Sequence, residues 1–242
     1  MLKILAIAAH PDDIELSCCG TLIKHVRKGD AVGILDLTEG ELGTRGSVES
    51  RYMEAANAAK LMGVQVRLNA QMADGFFRND EEHQRKLIMW IRHFRPEIVI
   101  ANAINDRHPD HGRGGRLIAD ACFYSGLSKI LTEKDGVAQQ AWRPKRVFHM
   151  IQDRPIEPSF IVDITDAFET KMECIQCYKS QFHDPNSEEP VTYISTGKFL
   201  DNIAYRDSLW GKRIGVQYGE GFTTEMLPGI TDLDQIILPE YP

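Results

Sequence analysis

The 242-residue chain has no apolar run approaching the ~18 residues that a membrane-crossing helix requires. Its longest early apolar stretch, Ile4 to Ala9, stops at His10 and Pro11. That is too short for a signal-peptide core, and no small-residue cleavage site follows. Cysteine is scarce: Cys18, Cys19, Cys122, Cys174 and Cys177 are the whole set. An odd count without a leader reads as a reducing, cytoplasmic setting rather than a disulfide framework. Positive charge is in deficit, with 28 Lys and Arg against 35 Asp and Glu and a net charge of -7. That balance argues against nucleic acid or an anionic membrane as the main partner. Internal repeats, low-complexity tracts and a domain linker are also missing. With 43% hydrophobic and 26% charged residues, collagen and a disordered chain are excluded. The expectation is one domain over residues 1–242 with a substantial core.

The first half alternates short β-rich runs with helical periodicity. Leu2 to Ala9, Ala31 to Leu37, Val64 to Asn69 and Glu97 to Ala101 read as strands. Ile14 to Lys28, Val48 to Met62, Glu81 to Phe94 and about Arg113 to Tyr124 read as helices. Ser47, or alternatively Ser50, is the N-cap of the second helix, and Gly63 is its stop. Asn102 to His111 reads as a loop. Continuous apolar strands separated by helices predict an α/β fold, a Rossmann-like, mostly parallel sheet with helices on both faces in three layers. The C-terminal portion is less regular. Val147 to Gln152 and Phe160 to Asp163 read as strands, Asp166 to Ser180 and Lys198 to Arg213 as helices, and Gln181 to Pro190 as a flexible polar loop.

Two clusters carry the chemistry. His10-Pro11-Asp12-Asp13 follows the first strand, and Arg107-His108-Pro109-Asp110-His111 follows the fourth. Parallel sheets bind ligands beyond the carboxyl ends of their strands, so the clusters can meet in space. A catalytic zinc site takes three nitrogen or oxygen ligands and keeps one position open. His10, Asp13 and His111 supply that set, with one zinc per subunit, although such a donor set also accepts Fe(II). An ion of this kind lowers the pKa of a water to ~7, and Asp12 is then free to take its proton. His108 can stabilise an oxyanion or protonate a leaving amine, and Asp110 can orient His108. The plainer alternatives are that Asp12 or Asp13 caps the first helix, with Pro11 near its start, and that His-Pro-Asp-His is a solvated turn.

These motifs resemble those of the zinc-dependent PIG-L/LmbE family of N-acetylglucosaminyl deacetylases. The resemblance runs along nearly the whole chain. It includes Thr38 to Glu41, Gly43 to Gly46, Arg51 to Ala55 and Gly215 to Phe222. The features look closest to the branch acting on N-acetylglucosaminyl malate in bacillithiol biosynthesis. The resemblance implies zinc at His10, Asp13 and His111, Asp12 as general base, and transition-state support from His108 and Asp110. It implies substrate contacts from Arg51 and Arg107, and it places Tyr193 in the region that supplies a catalytic tyrosine in some relatives, with Phe199 and Tyr205 nearby. It also implies a homo-oligomer, often a hexamer. One departure is visible: Cys19-Gly20-Thr21 stands where the family commonly has two glycines before the threonine.

Other residues read as structural. Cys174 and Cys177 lie inside a helical pattern, so buried thiols are expected rather than a redox pair. Cys18 and Cys19 read as packing residues. His25, His83, His93 and His149 have no partner cluster, and Trp90 and Phe94 form a core stripe. Three functional alternatives remain beside the reading above: another N-acetylglucosaminide such as a chitooligosaccharide as substrate, a non-catalytic metal or sugar module, and a dinucleotide-binding oxidoreductase. The last is disfavoured because no Gly-x-Gly-x-x-Gly cradle follows the first strand.

Overall fold

The computed structural model describes residues 1–182 and 188–237. In chain order the elements are β1 (Ile4–Ala8), α1 (Asp13–Ser17), α2 (Cys19–Arg27), β2 (Val32–Thr38), α3 (Val48–Met62), β3 (Val66–Met72), α4 (Glu81–Phe94), β4 (Ile98–Ala101) and α5 (Pro109–Tyr124). They continue with β5 (Glu133–Lys134), β6 (Val137–Ala138), β7 (Arg146–Met150), β8 (Phe160–Asp163), α6 (Phe168–Gln176), α7 (Gly197–Arg213) and β9 (Gly219–Thr223).

Seven strands form one sheet in the order β3-β2-β1-β4-β7-β9-β8. The pairs β3/β2, β2/β1, β1/β4 and β4/β7 are parallel, whereas β9 runs antiparallel to both β7 and β8. Successive side chains of a strand point to opposite faces. Ile4, Ala6 and Ala8 accordingly pack with α2, α3 and α6, while Leu5, Ile7 and Ala9 pack with α4 and α5. The central strand is therefore apolar throughout, and the fold is the expected three-layer α/β arrangement.

The strand order reverses between β1 and β4, which is where an open parallel sheet forms a crevice beyond its carboxyl ends. His10 leaves β1 there and Asn102 leaves β4. The local signals hold α3 as read: the Ser47 and Ser50 hydroxyls each accept the other's backbone N–H, and Gly63 ends the helix at φ 78.

The structure departs from the sequence reading in several places. The helix expected over 14–28 is broken at Cys18 into α1 and α2. The helix expected from Arg113 starts at Pro109, because proline suits the first helical position and the His108 ring accepts the Asp110 N–H (3.3 Å). The second motif is thus the first turn of a helix, not a loop. The helix expected to reach Ser180 ends at Gln176, where a tight turn from Ile175 buries Tyr178 and lets its hydroxyl donate to Glu15 (3.2 Å). The strand β9 and the β5/β6 hairpin at Asp135-Gly136 were not anticipated. Residues 183–187 of the polar loop lie outside the described residues. Cys174 is buried and Cys177 half-buried, and Trp90 and Phe94 stack 5.8 Å apart against the α4/α5 core.

Candidate metal centre and active site

Beyond β1 the chain turns sharply at Asp12, whose φ of 139 is a left-handed conformation that a non-glycine side chain rarely adopts. Such a residue persists only when its surroundings hold it. Asp12 stands at the N-cap of α1 but makes no side-chain cap bond. Its carboxylate instead meets the guanidinium of Arg51, with Oδ2 3.1 Å from Nη2, and the same nitrogen donates to the Pro11 carbonyl (2.9 Å). Capping therefore does not explain Asp12.

Asp13, His10 and His111 come together as neighbours. Asp13 Oδ1 is 3.0 Å from His111 Nε2, and Asp13 Oδ2 is 3.6 Å from His10 Nδ1. Each histidine has its other ring nitrogen tied to a carboxylate. Asp106 is 2.6 Å from His111 Nδ1, while Asp74 and Asp110 lie 3.0 and 3.3 Å from His10 Nε2. Outer carboxylates of this sort orient metal-ligating imidazoles and raise their basicity. The rings of His10, His108 and His111 also present nitrogens within 4.8 Å of one another. Buried nitrogen and oxygen donors converging on one point, amid more carboxylates than cations, fit a divalent ion.

The electrostatics agree. Burial opposes charge on His10, but Asp110, Asp13 and Asp74 outweigh it and hold its pKa well above the ordinary value. His111, similarly opposed by burial, is raised to about 9 by Asp13 and Asp106. Asp12 is pushed up to about 7 by burial, against the pull of Arg51. His108 is lowered by burial and by the two neighbouring histidines. Because its Nδ1 accepts the Asp110 N–H, the proton of neutral His108 resides on Nε2.

His10, Asp12, Asp13, Arg51, Arg107, His108, Asp110, His111 and Tyr193 all line one cleft of about 540 Å³, a size suited to a small ligand. One of the expected relationships differs. The Asp110 carboxylate does not reach His108. It lies against His10, accepts from Gly75 N (2.9 Å) and pairs with Arg113 (2.9 Å), because the first turn of α5 points it toward the β3 end. Arg51 lines the cleft with its guanidinium on Asp12. Arg107 and Tyr193 share one partner: Asp153 accepts from Arg107 Nε (3.1 Å) and from the Tyr193 hydroxyl (3.0 Å), and the Arg107 guanidinium sits 4.3 Å over the Tyr193 ring.

Sequence reasoning missed Asp74, Asp106, Asn102, Gln152 and Asp153. Asp74 and Asp106 carried a signal, since both follow carboxyl ends of parallel strands. Gln152 and Asp153 carried the same one, since they follow the carboxyl end of β7, which runs parallel to β4. His25 and His83 pair with Asp30 and Asp80, each at 2.7 Å, and His149 is buried on the Asn102 carbonyl (2.8 Å).

Among the described residues no helix is long and apolar enough to cross a membrane. The family model for PIG-L, GlcNAc-PI de-N-acetylase, matches residues 5–122. The chain is similar to a conserved protein of known structure from Thermus thermophilus, at 33% identity and a TM-score of 0.85 over 96% of this chain and 99% of that one. It is similar to the diacetylchitobiose deacetylase of Thermococcus kodakarensis, at 29% identity over 94% of this chain and 84% of that protein. A 4-oxalmesaconate hydratase of Pseudomonas putida is 25% identical over 74% of each chain. With a family match that spans both motifs, and a 33% identical structure that superposes along almost its full length, this chain belongs to the PIG-L family.

Proposed function

We propose that the protein is a metal-dependent N-deacetylase that releases acetate from an N-acetylglucosamine conjugate. The observation that carries this reading is the donor set of His10, Asp13 and His111 with a further carboxylate, Asp12, beside it that makes no cap bond. A module that only binds metal has no need of that extra carboxylate. The related diacetylchitobiose deacetylase supports the reaction class.

His10, Asp13 and His111 would hold the ion, which when bound polarises a carbonyl and acidifies a water. Asp12 accepts the proton of the attacking water. Its burial favours the protonated product of that step, and Arg51 keeps the carboxylate oriented before it. His108, carrying its proton on Nε2, donates a hydrogen bond to the oxyanion of the tetrahedral intermediate. Arg107 and Tyr193 at the cleft rim contact the part of the substrate beyond the acetamide.

N-acetylglucosaminyl malate is our preferred substrate, because the exposed Arg107 suits a carboxylated aglycone. A chitooligosaccharide fits the family relationship equally well. Acetate release, measured across both compounds with Zn2+ or Fe2+ supplied, tests the proposal. Turnover of the malate conjugate by wild type, with loss in Asp12→Ala, supports it. Hydration of 4-oxalmesaconate without acetate release from either sugar would instead favour chemistry like that of the Pseudomonas relative.

A further inference from the structure

Beyond the ligand set, the carboxylate of Asp13 is gripped by two buried amides. Its Oδ2 accepts the backbone N–H of His10 (3.0 Å) and Asn102 Nδ2 (3.1 Å), and its Oδ1 accepts Gln152 Nε2 (3.0 Å). The orientation of both amides is dictated by backbone groups. Asn102 Oδ1 accepts the Ala9 N–H (2.8 Å), so its NH₂ must face Asp13. Gln152 Oε1 accepts the Ala103 N–H (3.1 Å) and Asn102 Nδ2 (2.9 Å), so its NH₂ must do likewise. Neither amide can flip without opposing two like groups. Asn102 is fully buried and Gln152 nearly so. Arg206 donates to the backbone carbonyl of Gln152 (3.0 Å) and so braces that residue's main chain from α7.

The lone pairs then decide what Asp13 can offer. A carboxylate oxygen has two, and both on Oδ2 are taken by N–H donors. On Oδ1 one is taken by Gln152, which leaves one directed toward His111. We propose that Asn102 and Gln152 are positioning residues of the metal centre, interlocked so that Asp13 binds the ion through Oδ1 alone. This rests on the reading that His10, Asp13 and His111 hold a divalent ion. Confining Asp13 to one oxygen keeps the coordination number low and a position open, and it disfavours hard cations that seek many oxygens.

The test is Zn2+ affinity by chelator competition on wild type, Gln152→Met, Asp13→Asn and the double variant, with the melting of each metal-free chain as the fold control. We expect Gln152→Met to weaken Zn2+ binding about 10–100-fold. On the Asp13→Asn background the same change should cost less than about threefold, because Gln152 acts through Asp13. The Co2+ form of Gln152→Met should show a visible spectrum altered from wild type, as the Oδ1 of Asp13 is no longer held in one orientation toward the ion. Gln152→Asn, which sets the amide back by one methylene, is read the same way should the methionine variant not fold. Unchanged Zn2+ affinity in Gln152→Met, or an equal loss on both backgrounds, would overturn the clamp and leave the ligand set standing. A wild-type chain that takes up no Zn2+ would overturn both.

Discussion

The Arg51 guanidinium and the Asp12 carboxylate form a buried pair, Nη2 to Oδ2 at 3.1 Å, between the start of α3 and the turn after β1. Burial pushes Asp12 up to about 7 and Arg51 pulls it back. A base works only when deprotonated, so activity should fall as the pH drops below the Asp12 pKa. Removing Arg51 removes the opposing pull. The acidic limb of the pH profile of kcat/KM in Arg51→Gln is therefore expected to move to higher pH than in wild type. Asp12→Asn should lose about 10²–10⁴-fold in kcat with substrate affinity largely kept. An unmoved acidic limb in Arg51→Gln would separate Arg51 from Asp12.

Metal affinity should rise with pH. Ligation requires neutral imidazoles, yet carboxylate neighbours raise His10 well above its ordinary pKa and His111 to about 9. Zn2+ must therefore displace protons, and calorimetry in buffers of different ionisation heat should register their release. The stability of the metal-free chain follows the opposite course. The folded pKa of His111 lies above its unfolded value of about 6.5, so its contribution is complete below pH ~6.5 and is lost as the pH climbs through about 9. Denaturant midpoints of metal-free protein across that window check the sign.

Lys171 is fully buried between Asp207 (2.6 Å) and Glu220 (2.8 Å), both also without exposure. Glu220 in turn accepts the N–H groups of Gly20 and Thr21 at the start of α2. Lys171→Met would leave Asp207 with Arg206 as its cation and Glu220 with none, a loss of about 3–5 kcal/mol. Urea unfolding should show it, and Glu220→Gln, which keeps the shape, should cost less.

Gly115 lets α5 approach the end of β4. A Cβ there would stand 2.8 Å from the Asn102 carbonyl and 3.1 Å from that of Ala103, both backbone atoms that cannot swing aside. Gly115→Ala is expected to destabilise the chain by about 1–3 kcal/mol. It should also weaken Zn2+ binding, since Asn102 moves with that turn. A variant with wild-type stability would mean that α5 slides freely.

The sheet, its two helical layers and the residues at the crevice were legible because each rests on local signals: apolar strands, the Ser47 cap, the Gly63 stop and two His/Asp clusters after strands. The start of α5 was misread because His108 caps with its ring, a role usually assigned to Ser, Thr, Asp or Asn. The break at Cys18 and the insertion of β9 between β7 and β8 depend on contacts with residues far along the chain, which no local pattern carries. The same holds for the contacts of Asp153 and Gln152: their partners, Arg107 and Asp13, are distant in sequence. The Asp110 carboxylate was assigned to its neighbour His108, yet helical geometry turned it to His10.

His10 and His111 lie roughly 100 residues apart along the chain but face a common carboxylate, Asp13. An ion held by them is also a cross-link, fastening the first strand to the helix that follows the fourth. Closing a loop of that length by a covalent bridge is worth about 4.7 kcal/mol in chain-entropy terms, an upper guide for a reversible one. Loss of the ion would thus loosen the link between the two halves of the parallel sheet as well as disarm the cleft, and tolerance to heat and proteases would track metal supply.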